Sequence, residues 1–366
     1  MYRAAWQRAM GLRARDPGDL DEALGGERRI RRVERLDDTS NVPWSNGAPG
    51  AAAAGTRRAV ACARRVTSMA MRALADLHRH LDGSLREATL RELAAQAGVE
   101  VPRELRFVPN MGLGEALACF RTTVAALQRA DALRRVAAEA CEDAARAQVT
   151  TLELRFAPQL HGAIEPAIDA VLEGLAGRAG LILCALYGES PAQVEALVRA
   201  GARRKGVVGL DLAGGPGPAH AWKLGDYAAP FRLAAELGLG RTVHAGEGRP
   251  PSEIRTAIVE LGAQRIGHGT TLFADPEVAE LVCERGVVIE ACLTSNLHTG
   301  AIRRIADHPL PRWLAAGVRA CICTDNTLFS DTSSEAEHAL ARALPGMTDE
   351  LMERAIQNGH TAAFAR

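Results

Sequence analysis

The chain has 366 residues, a length that suits one large domain or two ordinary ones, and its 44 lysines and arginines balance its 44 aspartates and glutamates. That balance gives no bulk charge for binding nucleic acid or an acidic membrane surface. With 47% hydrophobic residues the chain can fill a sizeable core, yet no apolar run approaches the width of a bilayer.

Residues 1–70 are rich in arginine, alanine and glycine, with a loop-like stretch from Asn41 through Gly55 and no sustained periodicity. Acids such as Asp16, Asp19, Asp21, Glu22, Glu34, Asp37 and Asp38 argue against an organellar transit peptide, and the mixed charge argues against a nucleic-acid-binding arm. The segment reads as a disordered or mis-started extension, with Met69 and Met71 just before the first regular strand. Residues 71–366 then form the functional domain.

From Leu74 onward, short apolar or β-branched runs alternate with longer amphipathic, alanine-rich stretches. Strands are expected at Leu74–His78, Thr150–Phe156, Leu181–Tyr187, Val207–Leu212, Thr242–Ala245, Arg265–His268, Val287–Cys292 and Arg319–Thr324. Eight β-α units over this span predict an α/β fold of the (β/α)8 TIM-barrel type. A doubly wound sheet is the competing fold, but no glycine-rich phosphate fingerprint follows the first strand. Between the first two strands lies a helical insertion from about Leu85 to Ala147. Its series Leu117, Phe120, Val124 and Leu127 has helical spacing and reads as core, while part of the insertion is placed to cover the barrel mouth. None of the eight cysteines forms a CxxC pair, and Cys321 and Cys323 alternate on one strand so that they project the same way. All eight read as packed apolar groups of a reducing compartment, which gives a cytoplasmic expectation.

In a barrel the C-terminal ends of the strands converge on one site, however distant in sequence. Here those ends carry His78-Arg79-His80, His244-Ala245-Gly246-Glu247, Gly267-His268-Gly269 and Thr324-Asp325-Asn326. Alternation sends His78 and His80 inward and Arg79 away. Any one of these histidines is more simply a hydrogen-bonded structural group. Their conjunction at strands 1, 5, 6 and 8 is not, and three imidazoles with one carboxylate suit a zinc ion that keeps a position for water. His161, His220, His298, His308, His338 and His360 fall in loops or helices and are set aside as non-ligands. Glu153 and Arg155 on the second strand read as a buried or rim ion pair.

The run His78-Arg79-His80-Leu81-Asp82-Gly83-Ser84 resembles the opening motif of the adenosine deaminase family, within the amidohydrolase superfamily. So do Asp211-Leu212-Ala213-Gly214, Thr242-Val243-His244-Ala245-Gly246-Glu247, Arg265-Ile266-Gly267-His268-Gly269 and Cys292-Leu293-Thr294-Ser295-Asn296. The resemblance runs from about Leu74 to the C-terminus. The pairing of HAGE with GHG is its most specific part, whereas HxH is shared by many amidohydrolases. It implies one zinc per chain, bound by His78, His80, His244 and Asp325. It implies that Glu247 protonates ring N1, that His268 orients or deprotonates the attacking water, and that the substrate meets His80, Asp82 at the ribose 5′-hydroxyl and the Gly214 N–H at N3. The strand 4 lysine of binuclear relatives is absent, since Lys205 precedes the strand. Two departures stand out. Asn326 replaces a common second aspartate, and its amide can still donate to N7. Arg366 follows Asn358 and His360 closely, which puts a closing helix and a dimer surface in question.

The resulting expectation is hydrolytic deamination of a 6-aminopurine nucleoside, adenosine or 2′-deoxyadenosine, to the 6-oxo product and ammonia. An aminodeoxyfutalosine deaminase and an adenine deaminase are the alternatives on the same scaffold. A catalytically silent, metal-free binding protein is the alternative of another class. The partner is a small purine nucleoside, with no nucleic acid and no membrane, and a homodimer is left open. Because residues before Met69 show no core periodicity, their deletion is expected to leave solubility and turnover intact. An insoluble or inactive truncation in an expression and activity assay would contradict that reading.

Overall fold

The computed structural model describes residues 73–364, and the expectations made for residues 1–70 lie outside them. Eight parallel strands follow one another around a single sheet: β1 (Leu74–His80), β2 (Val149–Phe156), β3 (Gly180–Leu186), β4 (Val207–Ala213), β5 (Gly240–Ala245), β6 (Arg265–His268), β7 (Val288–Ala291) and β8 (Arg319–Ile322). This is the expected (β/α)8 barrel, with each strand within a few residues of its predicted place.

The insertion after β1 is three helices, α1 (Glu87–Ala97), α2 (Leu113–Ala126) and α3 (Ala130–Arg146). The crossovers that follow carry α4 (Ile164–Leu175), α5 (Pro191–Ala202), α6 (Ala228–Glu236), α7 (Ser252–Val259) and α8 (Pro276–Glu284). After β7 come α9 (Leu293–His298) and α10 (Leu310–Ala315), and after β8 come α11 (Ser334–Arg342) and α12 (Asp349–Ala362). Local chemistry sets several starts. Ser190 and Gln193 form a capping box ahead of α5, and Asp275 caps α8 with Pro276 in its first turn. Leu133, Val136, Ala137, Ala140 and Ala144 repeat at helical spacing on α3 and are buried in the same core as Ala167, Ile168 and Val171 of α4.

Closure between β8 and β1 rests on an isolated bridge, Arg79 to Asp325. The Asp325 N–H donates to the His78 carbonyl at 2.8 Å, and the His80 N–H donates to the Asp325 carbonyl at 2.8 Å. β1 is not a regular strand. A register shift between Asp76 and Arg79 keeps His78 and His80 inside while Asp76 joins Arg79 on the other face. There Asp76 accepts from the Arg79 Nε at 2.9 Å and the Thr324 hydroxyl at 2.6 Å. Simple alternation therefore gives the right inward pair but misplaces Asp76.

The question over a closing helix is answered by α12, which packs against β1 and β8. Gly359 makes the approach possible, because a Cβ there would lie 2.8 Å from the Ala75 Cβ. The Leu117–Leu127 series divides. Val124 and Leu127 are core, but Leu117 and Phe120 face the cavity at the barrel mouth, so the uniform core reading is corrected.

Candidate active site

The ligand-type side chains sit at or just beyond the C-terminal ends of their strands, and His78, His244 and Asp325 are each aimed by a second buried group. The His78 Nδ1 lies 2.7 Å from Glu290 Oε2, and a neutral ring that donates there carries its lone pair on Nε2. That Nε2 is buried with no hydrogen-bond partner and lies 3.5 Å from Asp325 Oδ1. The His244 Nδ1 donates to Asp211 Oδ1 at 3.1 Å, so its Nε2 is bare as well and faces the His80 Nε2 at 3.2 Å. The His80 Nε2 is in turn 3.4 Å from Asp325 Oδ1. Three imidazole nitrogens and one carboxylate oxygen thus converge from β1, β5 and the end of β8.

The carboxylates are held charged. Burial alone would raise the Asp325 carboxyl, but His78, His80 and His268 hold it well below the usual range. Burial likewise opposes ionisation of Glu290, and the Arg155 and Arg265 guanidinium groups overcome it. Arg155 joins the two orienting acids, donating to Asp211 Oδ2 and to Glu290 Oε2, each at 2.9 Å. Glu153 pairs instead with Arg265 at 2.6 Å. The ion-pair reading of Glu153 and Arg155 is right about burial and corrected as to partners.

His268 stands beside this cluster, its ring centroid 4.9 Å from that of His78 and 5.1 Å from that of His244. Its Nδ1 accepts from the Asn296 amide at 3.0 Å, which leaves the proton on Nε2. Burial pushes its pKa down to about 4, so it is neutral near pH 7. His268 and Asp325 both adopt left-handed backbone conformations, φ 69° and 62°, that non-glycine residues rarely take. Gly267 precedes His268 because a Cβ there would lie 2.9 Å from the His78 ring.

Glu247 belongs to none of the groupings of donors close enough to share a cation among the described residues. Its Oε1 accepts from the Thr299 hydroxyl at 2.8 Å and lies 3.7 Å from the His268 Nδ1. Asp82 is buried, with Oδ2 3.4 Å from the His161 Nε2. Asn326 presses its Oδ1 against Gly83, where it finds no hydrogen-bond partner. A cavity of 510 Å³ is lined by His80, Asp82, Gly214, His244, Glu247, His268, Asp325 and Asn326, so all the sequence-selected side chains meet there except His78, which stands behind. The facing wall is apolar, from Phe107, Leu113, Leu117, Phe120, Leu160 and Leu186.

Of the histidines set aside, none belongs to a potential cation group, yet several support the site. His161 contacts Asp82, His220 lines the cavity, and the His308 Nε2 lies 3.3 Å from Asn296 Oδ1, behind His268. Glu290 drew no sequence reading, and Asp211, Arg155 and Ser295 drew none as supports of the site, though the Ser295 hydroxyl donates to Asp325 Oδ2 at 2.5 Å. The available signal was charge on barrel strands usually filled by branched apolar residues.

Residues 73–366 match the family described as adenosine deaminase. An adenosine deaminase of Serratia proteamaculans is 36% identical over 320 residues, covering 80% of this chain and 93% of that protein. One from Vibrio cholerae is 35% identical over 315 residues with the same coverage. Among solved structures, adenine deaminase from Arthrobacter aurescens superposes with a TM-score of 0.73 at 25% identity, covering 80% of this chain and 94% of that one. The Arabidopsis N6-mAMP deaminase superposes at 0.71 and 27% identity with the same coverage.

The network generates a prediction for Glu290→Gln. Neutralising a carboxylate buried between two guanidinium groups should lower unfolding stability by about 3 kcal/mol. It should also weaken metal affinity about 10–100-fold, because His78 loses a charged partner for Nδ1–H. Urea denaturation and metal titration check the two effects separately.

Proposed function

The chain belongs to the adenosine deaminase family, and we propose from that premise that it hydrolyses adenosine and 2′-deoxyadenosine to the 6-oxo nucleosides and ammonia at a single zinc site. The observation that carries the reading is the convergence of the His78, His80 and His244 Nε2 atoms with Asp325 Oδ1, beside a cavity that Glu247 lines. Zinc fits this donor set. The donor separations of 3.2, 3.4 and 3.5 Å are short enough for these atoms to share one ion, and the buried His78 Nε2 has no hydrogen-bond partner. No lysine on β4 offers a bridge to a second ion, and Asp211 is engaged by His244.

Bound zinc would supply the Lewis acidity that makes water nucleophilic near neutral pH. The rest falls to the protein. His268, neutral and with its proton on Nε2, orients the attacking water and stabilises the charge that develops as it adds to C6. Electron density then moves to N1, which takes the Glu247 proton; one proton of the water passes to the amino group, the C6–N bond breaks to release ammonia, and the other returns to Glu247 as the 6-oxo group forms. The Gly214 N–H meets N3. Asn326 donates to N7 through an amide that needs no proton of its own, and Asp82, backed by His161, accepts from the 5′-hydroxyl.

Substrate choice follows from what lines the cavity. No lysine or arginine lines it, and Asp82 places a carboxylate there, so a phosphate dianion finds no counter-charge. A nucleoside therefore fits better than the nucleotides named for the Arabidopsis relatives, and a sugar hydroxyl gives Asp82 a partner that free adenine lacks. Among the described residues no cysteine is in a disulfide, which suits a cytoplasmic location, and no described helix is long and apolar enough to cross a membrane.

Glu247→Gln keeps shape and hydrogen bonding but removes the transferable proton. Zinc content and adenosine affinity should stay near wild type while turnover falls by about a hundredfold or more. His244→Ala should lose metal and turnover together. Close to wild-type turnover in Glu247→Gln would refute the proton-donor role, and loss of its zinc would make Glu247 a ligand. Comparing kcat/KM for adenosine, AMP and adenine tests the substrate reading, which fails if AMP is preferred.

A further inference from the structure

At the end of the barrel remote from the cavity, the chain after α12 turns into the interior. Phe364 lies over the first residues of the strands, where Gly209 and Gly240 leave room for its ring. A Cβ on Gly240 would lie 2.2 Å from the ring carbons, and one on Gly209 would lie 2.8 Å away. The Phe364 N–H donates to Glu153 Oε1 at 2.6 Å. The Arg265 guanidinium sits 3.7 Å from the ring centroid, donates to the Ala362 carbonyl at 2.9 Å and pairs with Glu153 at 2.6 Å. Its remaining nitrogen, Nε, lies 2.7 Å from Glu290 Oε1.

Glu290 is the carboxylate that holds the His78 Nδ1–H, and Arg155 links it to Asp211 and so to His244. An unbroken line of buried charges therefore runs from the floor of the barrel to two imidazoles of the site. Arg265 can hold Glu290 in one place only while its other donors and one face of its guanidinium plane are engaged. Two of those engagements, the carbonyl and the aromatic face, come from residues 362–364. A guanidinium freed at that end is drawn toward water, and water entering the floor weakens every pair along the line.

We propose that Ala362–Phe364 is a floor plug that positions the metal site, locking Arg265 so that Glu290 fixes the ring and tautomer of His78. Phe364 is a positioning residue, remote from substrate, and its link to metal rests on the reading of His78 as a ligand. The glycines at 209 and 240 are then the socket for the ring, and the buried arginines carry its constraint upward.

The test compares full-length wild-type protein with Phe364→Ala, Gly240→Ala and Met352→Ala. Gly240→Ala evicts the ring without altering it, and Met352 is buried on α12 outside the ion network. Each zinc-loaded protein is mixed with excess chromogenic chelator, and the zinc release rate is read beside Tm. Phe364→Ala and Gly240→Ala should release zinc about tenfold faster than wild type, the lower range for losing outer support of a ligand. Met352→Ala should lower Tm yet release zinc at the wild-type rate. Wild-type release from both plug variants, or equally fast release from Met352→Ala, would overturn the proposal. The His78 Nδ1–H signal of chelated, 15N-histidine-labelled protein gives a reading independent of metal. It should shift or vanish in both plug variants, and an unchanged signal would also overturn the proposal. A wild-type chain that takes up no zinc would instead refute the zinc reading and leave the plug to be judged on that signal.

Discussion

The backbone of Asp325 closes the barrel, and the site depends on that closure. Its N–H and C=O bond the His78 carbonyl and the His80 N–H, so one residue of β8's extension is fixed between the two histidines of β1. The side chain of the same residue reaches the Nε2 atoms of both. Donor spacing is therefore set by a main-chain bridge rather than by flexible side chains. The cost is a left-handed conformation at Asp325, of order 1–3 kcal/mol, sustained because the surrounding hydrogen bonds allow no other.

A second constraint acts from beneath. TIM-barrel interiors are usually layered with branched apolar side chains, but here Glu153, Arg155, Asp211, Arg265 and Glu290 are all fully or almost fully buried. Replacing such groups with well-packed apolar residues would often cost nothing in stability. Their retention makes sense at the imidazoles, where Glu290 and Asp211 decide which nitrogen keeps its proton. Arginine suits the linking role because its planar fork binds two acids at once, which a lysine ammonium does not do in fixed geometry.

Much of this was legible in the sequence. The β-α alternation located the strands, and convergence at strand ends assembled residues as far apart as His78 and Asp325. The orienting groups were not legible, because pairing Glu290 with His78 requires knowing how β7 faces β1 across the barrel. The bulge in β1 escaped for a related reason, since Asp76 leaves the expected face to bond Thr324 and Arg79. Leu117 and Phe120 show the limit of periodicity: helical spacing says which residues share a face, but not whether that face meets a core or a cavity. Phe364 follows a helix end with no pattern of its own, and its role appears only beside Gly209 and Gly240.

The division between strand ends and insertion has a consequence for specificity. Relatives named for adenine and for N6-mAMP share the fold at TM-scores of 0.73 and 0.71, so the barrel does not choose among purine compounds. In the proposed reading the strand ends supply the groups that act on the ring, whereas α2 and the segment before it supply Phe107, Leu113, Leu117 and Phe120 to the cavity wall. Those side chains are free to vary without touching metal geometry, because they hang from an insertion that closes no strand pair. The same wall offers no cation for a phosphate and no hydrogen bond that would compete with Asp82 for a sugar. Under the proposed function, chemistry is thus fixed by closure of the barrel, and the choice among 6-aminopurines falls to Asp82 and the helical wall of the cavity.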